Sequence, residues 1–258
     1  MDSSTVKTSP PAERASTGKS LGHHLIGIFI APRRTLAEIA RRPTWVVPLL
    51  VAWIASMSVG YLFAHRVFTD QAVDRVARSV VQRSLVLQGL DRSPTAEEIR
   101  VRAESVQRLK RLWPAGTTIE LLVVVFGISL LFLGLMRLLG ERPGYRAMLT
   151  VTSWSWMVWA VVFAVLAWLR VGLADPATLD PTDPYTLSVI HLGHVVPAEA
   201  PALLRVPATN LSLQNLWFLA LLAVGGAVLA RRASATRIAC WTFAVGLVAF
   251  VLRGLVGF

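Results

Sequence analysis

Five apolar stretches, each about as long as a bilayer is thick, take up nearly half of the chain. A hydrocarbon core of ~30 Å needs about 20 helical residues to cross it, and a run of about 18 without charge is already a candidate span. Thr44 to His65 and Ala147 to Leu169 contain no Asp, Glu, Lys or Arg. Val206 to Ala230 is also uncharged, with a polar first third that belongs outside the lipid. Gly116 to Gly140 carries Glu120 and Arg137 near its ends, and Ile238 to Phe258 carries Arg253 close to its end. From such positions a long charged side chain snorkels to the interface. Spans are therefore expected at about 44–65, 117–140, 147–169, 211–230 and 238–257. The fold class that follows is an all-α, polytopic membrane protein: a bundle of five transmembrane helices.

Composition supports this and narrows the partners. A hydrophobic fraction of 54% and a mean hydropathy of +0.57 exceed what a soluble domain of 258 residues shows. The spans are apolar all round, with no polar face to turn to water. A formal charge of +11 would suit nucleic acid, but the basic residues are not gathered on one domain with interleaved aromatics. They flank the spans, where they orient the chain and attract anionic lipid head groups. The expected partners are membrane lipids, anionic ones above all, with other membrane proteins or self-association open and nucleic acid excluded. Arginine outnumbers lysine 23 to 3, which suits a GC-rich bacterial genome and a bacterial cytoplasmic membrane. Cys240 is the single cysteine, so no intrachain disulfide forms, and it is expected as a small core residue.

Residues 1–20 are polar, rich in Ser, Thr and Pro, and lack an apolar h-region, so a disordered tail is expected ahead of one membrane domain over 21–258. The domain opens with an amphipathic segment, Leu21 to Pro43. Leu25 to Ile30 is apolar, Pro32 interrupts, and Leu36, Ile39 and Ala40 sit opposite Arg33, Arg34, Arg41 and Arg42. This basic cluster is the candidate lipid-facing site; the segment either lies on the cytoplasmic surface or packs as a short helix under the bundle. In the first span Ala52, Ser56, Gly60 and Ala64 recur every fourth residue, a stripe of small side chains that lets a neighbouring helix approach in lipid. Phe68 to Trp113 reads as an extramembrane helical hairpin. Gln71 to Gln88 has apolar residues at helical spacing and Gly89 ends it; Ser93-Pro94-Thr95 starts a second helix with Glu97 and Glu98 in its first turn, running to about Leu112, with Trp113-Pro114 marking the return to the interface. The third span holds Trp154, Trp156, Trp159 and Trp168, a dense aromatic surface.

Loop charge sets the expected orientation. With the N terminus cytoplasmic, the inner side receives Arg33, Arg34, Arg41, Arg42, Arg142, Arg146, Arg231, Arg232 and Arg237. The outer loop Arg170 to Arg205 has two arginines against Asp175, Asp180, Asp183 and Glu199, in keeping with the positive-inside rule. The hairpin, with nine basic residues, is the exception, and long segments translocate with less regard to charge. Five spans then put the C terminus outside.

The run Ile28-Phe29-Ile30-Ala31-Pro32-Arg33-Arg34-Thr35-Leu36-Ala37-Glu38-Ile39-Ala40-Arg41-Arg42-Pro43 resembles the lead-in to the first span in bacterial members of the Yip family of integral membrane proteins. So do the insertion with Ser93-Pro94-Thr95-Ala96-Glu97-Glu98, the Gly140 turn with Tyr145, and the Leu211 to Ala230 span with Gly225-Gly226 before a basic turn. The third span departs from the pattern in having no proline. The resemblance implies a multi-pass membrane domain; the family's founding eukaryotic members interact with Rab-type GTPases in vesicle traffic, and no residue here matches a GTPase-binding surface.

Few residues suggest chemistry. His191 and His194 are three apart and could meet on one helical face, but two imidazoles without a third ligand make a weak metal site. Glu120 invites a proton-relay reading, as any intramembrane carboxylate does, yet it sits near a span end, and Arg137 lies ~25 Å further along the helix. Asn210, Ser212, Gln214 and Asn215 either line a polar cavity or mark the wet end of a helix. There is no Ser-His-Asp order, phosphate loop, HExxH or paired carboxylate. No cofactor, metal or catalysis is expected, and the function that follows is a membrane-embedded scaffold, with a transporter or transporter-accessory subunit as the alternative.

Overall fold

A computed structural model describes residues 21–41, 43–175, 179, 191–192, 195–197, 200, 208 and 211–256. The expected tail, 1–20, lies outside them, as do Arg42, His194 and Asn210. The described chain is helical, with one isolated antiparallel bridge, between His191 and Ser212.

The N-terminal segment forms two short helices, α1 (Leu21–Ile30) and α2 (Pro32–Arg41). Pro32 occupies the first position of α2, where its missing N–H leaves no bond unmade. The two helices close into a hairpin at Gly27, where a Cβ would come within 2.6 Å of Thr35 Oγ1. Ile28, Leu36 and Ile39 are buried in the main core, while Arg33, Arg34 and Arg41 are exposed. Phe29 stacks on Trp217 at 6.1 Å and His24 meets Trp154 edge-on at 5.6 Å. Trp217 lies about 18 Å along its helix from Leu229. The hairpin therefore packs on α6 and on the helix that carries Trp217. The apolar run Leu25 to Ile30 explains this, since it gains more from packed side chains and hydrocarbon than from an interface.

Helix α3 (Val46–Leu62) runs on through a π-turn, Phe63–Val67. Helix α4 (Asp70–Leu87) starts at Thr69, whose hydroxyl accepts from Ala72 N, and ends before Gly89, whose φ of 71° favours glycine. Helix α5 (Ala96–Leu138) starts at a full capping box: Thr95 Oγ1 accepts from Glu98 N, and the Glu98 carboxylate accepts from Thr95 N. The break expected at Trp113-Pro114 does not occur. One 43-residue helix joins the extramembrane hairpin to the second apolar stretch. Pro114 cannot donate to Lys110 O, and Gly116, Thr117 and Thr118 after it are weak helix formers; the ties of Lys110 to Phe68 O and of Thr118 to Trp53 hold the helix on either side of the proline.

Helix α6 (Tyr145–Leu173) follows a turn at Gly140, φ 82°, and α7 (Leu213–Leu229) and α8 (Ala235–Val256) complete the bundle. Val46–Val67, Ala115–Leu138 and Tyr145–Leu173 are each long and apolar enough to cross a membrane, whereas Leu213–Leu229 and Ala235–Ala249 are shorter apolar helices.

Helix α6 is central. Every residue from Met148 to Val158 is buried, with α3, α5, α7 and α2 packed around it. Lipid tails are as apolar as leucine, so close packing and hydrogen bonds between helices hold such a bundle. Several ties set the helices at matching heights: Trp154 Nε1 donates to Thr44 O (3.1 Å), Trp53 Nε1 to Thr118 Oγ1 (2.8 Å), Arg66 to Gly172 O (3.4 Å) and Lys110 Nζ to Phe68 O (2.8 Å). Two expectations change. Trp154 and Trp156 are core residues, and only Trp168 of the four tryptophans of this helix is exposed. Cys240, expected inside, is exposed on α8, because an apolar helix in lipid need not bury its small residues.

Candidate functional site

Two places bring polar groups together inside this apolar frame. The first is a cleft of about 270 Å³ between α1, α6 and α7, lined by Phe29, Val158, Trp159, Val162, Leu166, Leu213, Gln214 and Trp217. Ser212 caps α7 by accepting from Asn215 N at 3.2 Å, which fixes the first turn and so aims Gln214 and Asn215 at α6. Asn215 Oδ1 accepts from Trp159 Nε1 at 2.9 Å, about halfway along α6. Trp156, Trp159 and Phe163 stack in series, with centroids 4.7 and 5.1 Å apart, and Trp156 meets Phe218 edge-on. Gln214 is buried to 9% exposure, and its Nε2 has no hydrogen-bond partner. Thr152, Ser153, Ser155 and Trp156 on α6 also carry buried polar atoms without a partner. Phe29, Leu213 and Trp217 form an exposed rim. The surface that the cleft presents is almost wholly apolar, the Gln214 amide nitrogen being buried behind it.

The second place joins two turns. Glu141 is buried between α5 and α6, and its carboxylate accepts three backbone N–H groups of the α7–α8 turn: Arg231 (2.9 Å), Arg232 and Ala233 (2.6 Å each). These bonds, that of Arg231 first and then that of Ala233, hold the Glu141 carboxyl below its ordinary range. The arrangement is a nest of amides around a fixed anion. It clamps α5 and α6 to α7 and α8 and offers no open position to a ligand. The sequence did carry a signal for it: one acidic residue in a turn otherwise basic, opposite Arg231-Arg232.

The Gly225-Gly226 pair lets α7 enter the middle of the bundle. A Cβ on Gly225 would collide with Val151 Cγ1 of α6, and one on Gly226 would come within 3.0 Å of Ile238 and 3.1 Å of Phe132. Residues 26–255 match the Yip1 domain, a range that takes in every helix described above but the start of α1 and the last residue of α8. The chain belongs to the Yip1 family. It is a multi-pass integral membrane protein. No curated protein and no solved structure matches it.

In this Yip1 domain the residues singled out by sequence are dispersed. Arg33, Arg34 and Arg41 share the exposed face of α2, with Arg34 3.4 Å from Glu38. Of the small-residue stripe, Ala52 is fully buried while Ser56, Gly60 and Ala64 are half-buried. Steps of four drift about 40° round a helix at each repeat, so the face that α3 turns inward is instead Pro48, Ala52, Val59 and Leu62. Glu120 and Arg137 are exposed near opposite ends of the Ala115–Leu138 apolar segment. His191 is buried beside Ser212; among the described residues no three of His, Cys, Asp and Glu cluster as metal ligands. Gln214, noted in the sequence as a possible cavity residue, lines a cleft, and Asn215 beside it holds Trp159.

Proposed function

We propose that this Yip1-domain protein is a non-enzymatic scaffold of the bacterial cytoplasmic membrane, organising other membrane proteins through helix contacts and anionic lipid through α2. The observation that carries the reading is an open apolar groove of about 550 Å³ between α3 and α6, in which Ala55, Ser58 and Ala164 lie among larger side chains, Val51, Ile54, Val161, Val165, Trp168 and Leu169. Small side chains there let a partner helix come close, which is how helices associate in lipid. The exposed Arg33, Arg34 and Arg41 lie opposite the core-facing Leu36 and Ile39, so α2 offers a basic face on a fixed element. Each such residue near an anionic surface contributes ~1 kcal/mol. Five spans with the N terminus inside and the C terminus outside complete the reading.

The transporter alternative draws on the cleft at Gln214. Its apolar walls give a water-soluble solute nothing in exchange for lost hydration, so the scaffold reading is the better supported. Photo-crosslinking from Ala55 and Ala164 in native membranes, read by mass spectrometry, tests it. Adducts to one or a few membrane proteins, lost in Ser58→Trp, are expected; labelling of lipid alone at both positions would defeat the scaffold.

A further inference from the structure

We infer that the two turns joined by Glu141 hold the head group of an anionic lipid with two phosphates, of the cardiolipin type, one phosphate at Arg142 and Arg146 and the other at Arg231, Arg232 and Arg237. The inference goes beyond the α2 surface of the scaffold reading, since it uses neither that helix nor a protein partner. The α5–α6 turn joins Ala115–Leu138 to Tyr145–Leu173, two segments each able to cross a membrane, so it lies at a membrane face where head groups are. The α7–α8 turn is bound to it there, because three of its amides donate to the Glu141 carboxylate at 2.6 to 2.9 Å. Arg142 follows Glu141 directly, and Arg231 and Arg232 carry two of those amides. Two basic stretches ninety residues apart in sequence are thus set side by side, and all five arginines are exposed.

Charge selects an external anion. Over Gly140 to Arg146 and Ala230 to Arg237, five arginines stand against one carboxylate, which leaves +4. That carboxylate is buried and occupied by backbone amides. Among the described residues none of the five arginines is in a salt bridge, whereas Arg34 on α2 is bound to Glu38, and Arg92 and Arg100 in the extramembrane hairpin are bound to Glu98 and Glu97. The division of the charge selects two phosphates. Arginine grips a phosphate through paired N–H donors, and one turn offers two guanidinium groups while the other offers three. Ser234 Oγ accepts from Arg237 N at 3.3 Å, which fixes Arg237 in the first turn of α8. The Glu141 clamp holds the two groups at one spacing, so a lipid with two linked phosphates meets both without ordering either turn, and its second contact is intramolecular. A lipid with one phosphate has no such gain. Basic sites between helix ends are where head groups of this kind bind.

The test adds lipid to the full chain in mild detergent micelles and follows adducts by native mass spectrometry. One series uses cardiolipin, the other phosphatidylglycerol at twice the molar amount, so that the added charge is equal. The first cardiolipin should bind about tenfold or more tighter than the first phosphatidylglycerol. Arg142→Gln with Arg146→Gln, or Arg231→Gln with Arg232→Gln, should each remove that preference, at about fivefold per arginine, while thermal unfolding in lipid-free micelles stays unchanged. Arg33→Gln with Arg34→Gln, on α2, should leave the preference intact, which separates this site from the α2 surface. Equal affinity of the unaltered chain for the two lipids would overturn the inference without recourse to any variant, since diffuse surface charge acts on both alike. A preference that survives both pairs of turn variants, or that only the α2 variant removes, would overturn it as well. So would displacement of the bound cardiolipin by an equimolar amount of inorganic pyrophosphate, the behaviour of a site for a soluble anion.

Discussion

Gly225→Ala tests whether close approach of α7 to α6 holds this bundle together. The added methyl would occupy the space of Val151 Cγ1 and crowd Val151 Cβ and Cγ2, each 3.3 Å away. Val151 is fully buried and β-branched in a helix, so it keeps one strongly preferred rotamer and cannot swing clear. The helices must separate, and overpacking of this kind costs ~1–3 kcal/mol. That loss extends to Trp156 on Phe218, which share the interface. Gly134→Ala in α5 is the control: a Cβ there meets nothing within 4 Å, so the variant should be neutral or gain up to ~1 kcal/mol from helix propensity.

The decisive measurement is a double-mutant cycle with Val151→Ala, followed by tryptophan fluorescence as the SDS fraction of mixed micelles rises. Val151→Ala alone leaves a small void, whereas in its background Gly225→Ala refills that void. The two changes should therefore compensate, with a coupling of ~1 kcal/mol or more. Additivity to within ~0.5 kcal/mol would refute the steric reasoning, since it would mean that the two positions do not meet in the folded chain.

Glu141→Ala strands three amides of the α7–α8 turn, so thermal unfolding should come several degrees earlier, while Arg142→Ala, on an exposed neighbour, should change little. Glu98, bound to Arg92 first and also to Thr95, has its pKa lowered to about 2. Its contribution to the α4–α5 hairpin is thus full above the ordinary carboxyl range and lost as pH falls through that range toward 2, which amide hydrogen exchange at Glu97 to Ile99 should show and Glu98→Gln should abolish. Reporter fusions after Gly144 and Ser234 should be cytoplasmic and those after Asp91 and Asp183 external; a cytoplasmic Asp91 fusion would end the model with the N terminus inside.

What could be read from the sequence was what neighbouring residues decide. The start of α5 is an example: Thr95 and Glu98 are three apart, and their reciprocal bonds need no distant partner. Gly89 and Gly140 likewise end their helices by a positive φ that short-range chemistry selects. The continuity of α5 through Pro114 was not legible, because a proline lowers helix preference locally while the helices beside it decide whether the cost is met. Glu141 and Gln214 were harder still. A carboxylate becomes a clamp only when the turn at Arg231, ninety residues away in sequence, is folded beneath it. A glutamine at a helix start comes to line a cleft only when Phe29, from the other end of the chain, packs on Trp217 beside it.

The same reasoning explains why the small residues of α3 and α7 differ in meaning. Both helices carry small side chains, and sequence spacing favoured the stripe of Ala52, Ser56, Gly60 and Ala64. In α3 that stripe winds away from α6 after Ala52, leaving Ser56, Gly60 and Ala64 half-buried. In α7 two adjacent glycines face different neighbours, Gly225 toward Val151 and Gly226 toward Ile238 and Phe132, so α7 is wedged between α6 on one side and α5 and α8 on the other. A helix held on two sides at one point cannot slide or turn there. Its opposite end, with Ser212, Gln214 and Asn215, is thereby fixed in register against Trp159 and the aromatic series of α6. The glycine pair thus has a consequence at the far end of α7: it sets the position from which Asn215 accepts the hydrogen bond of Trp159.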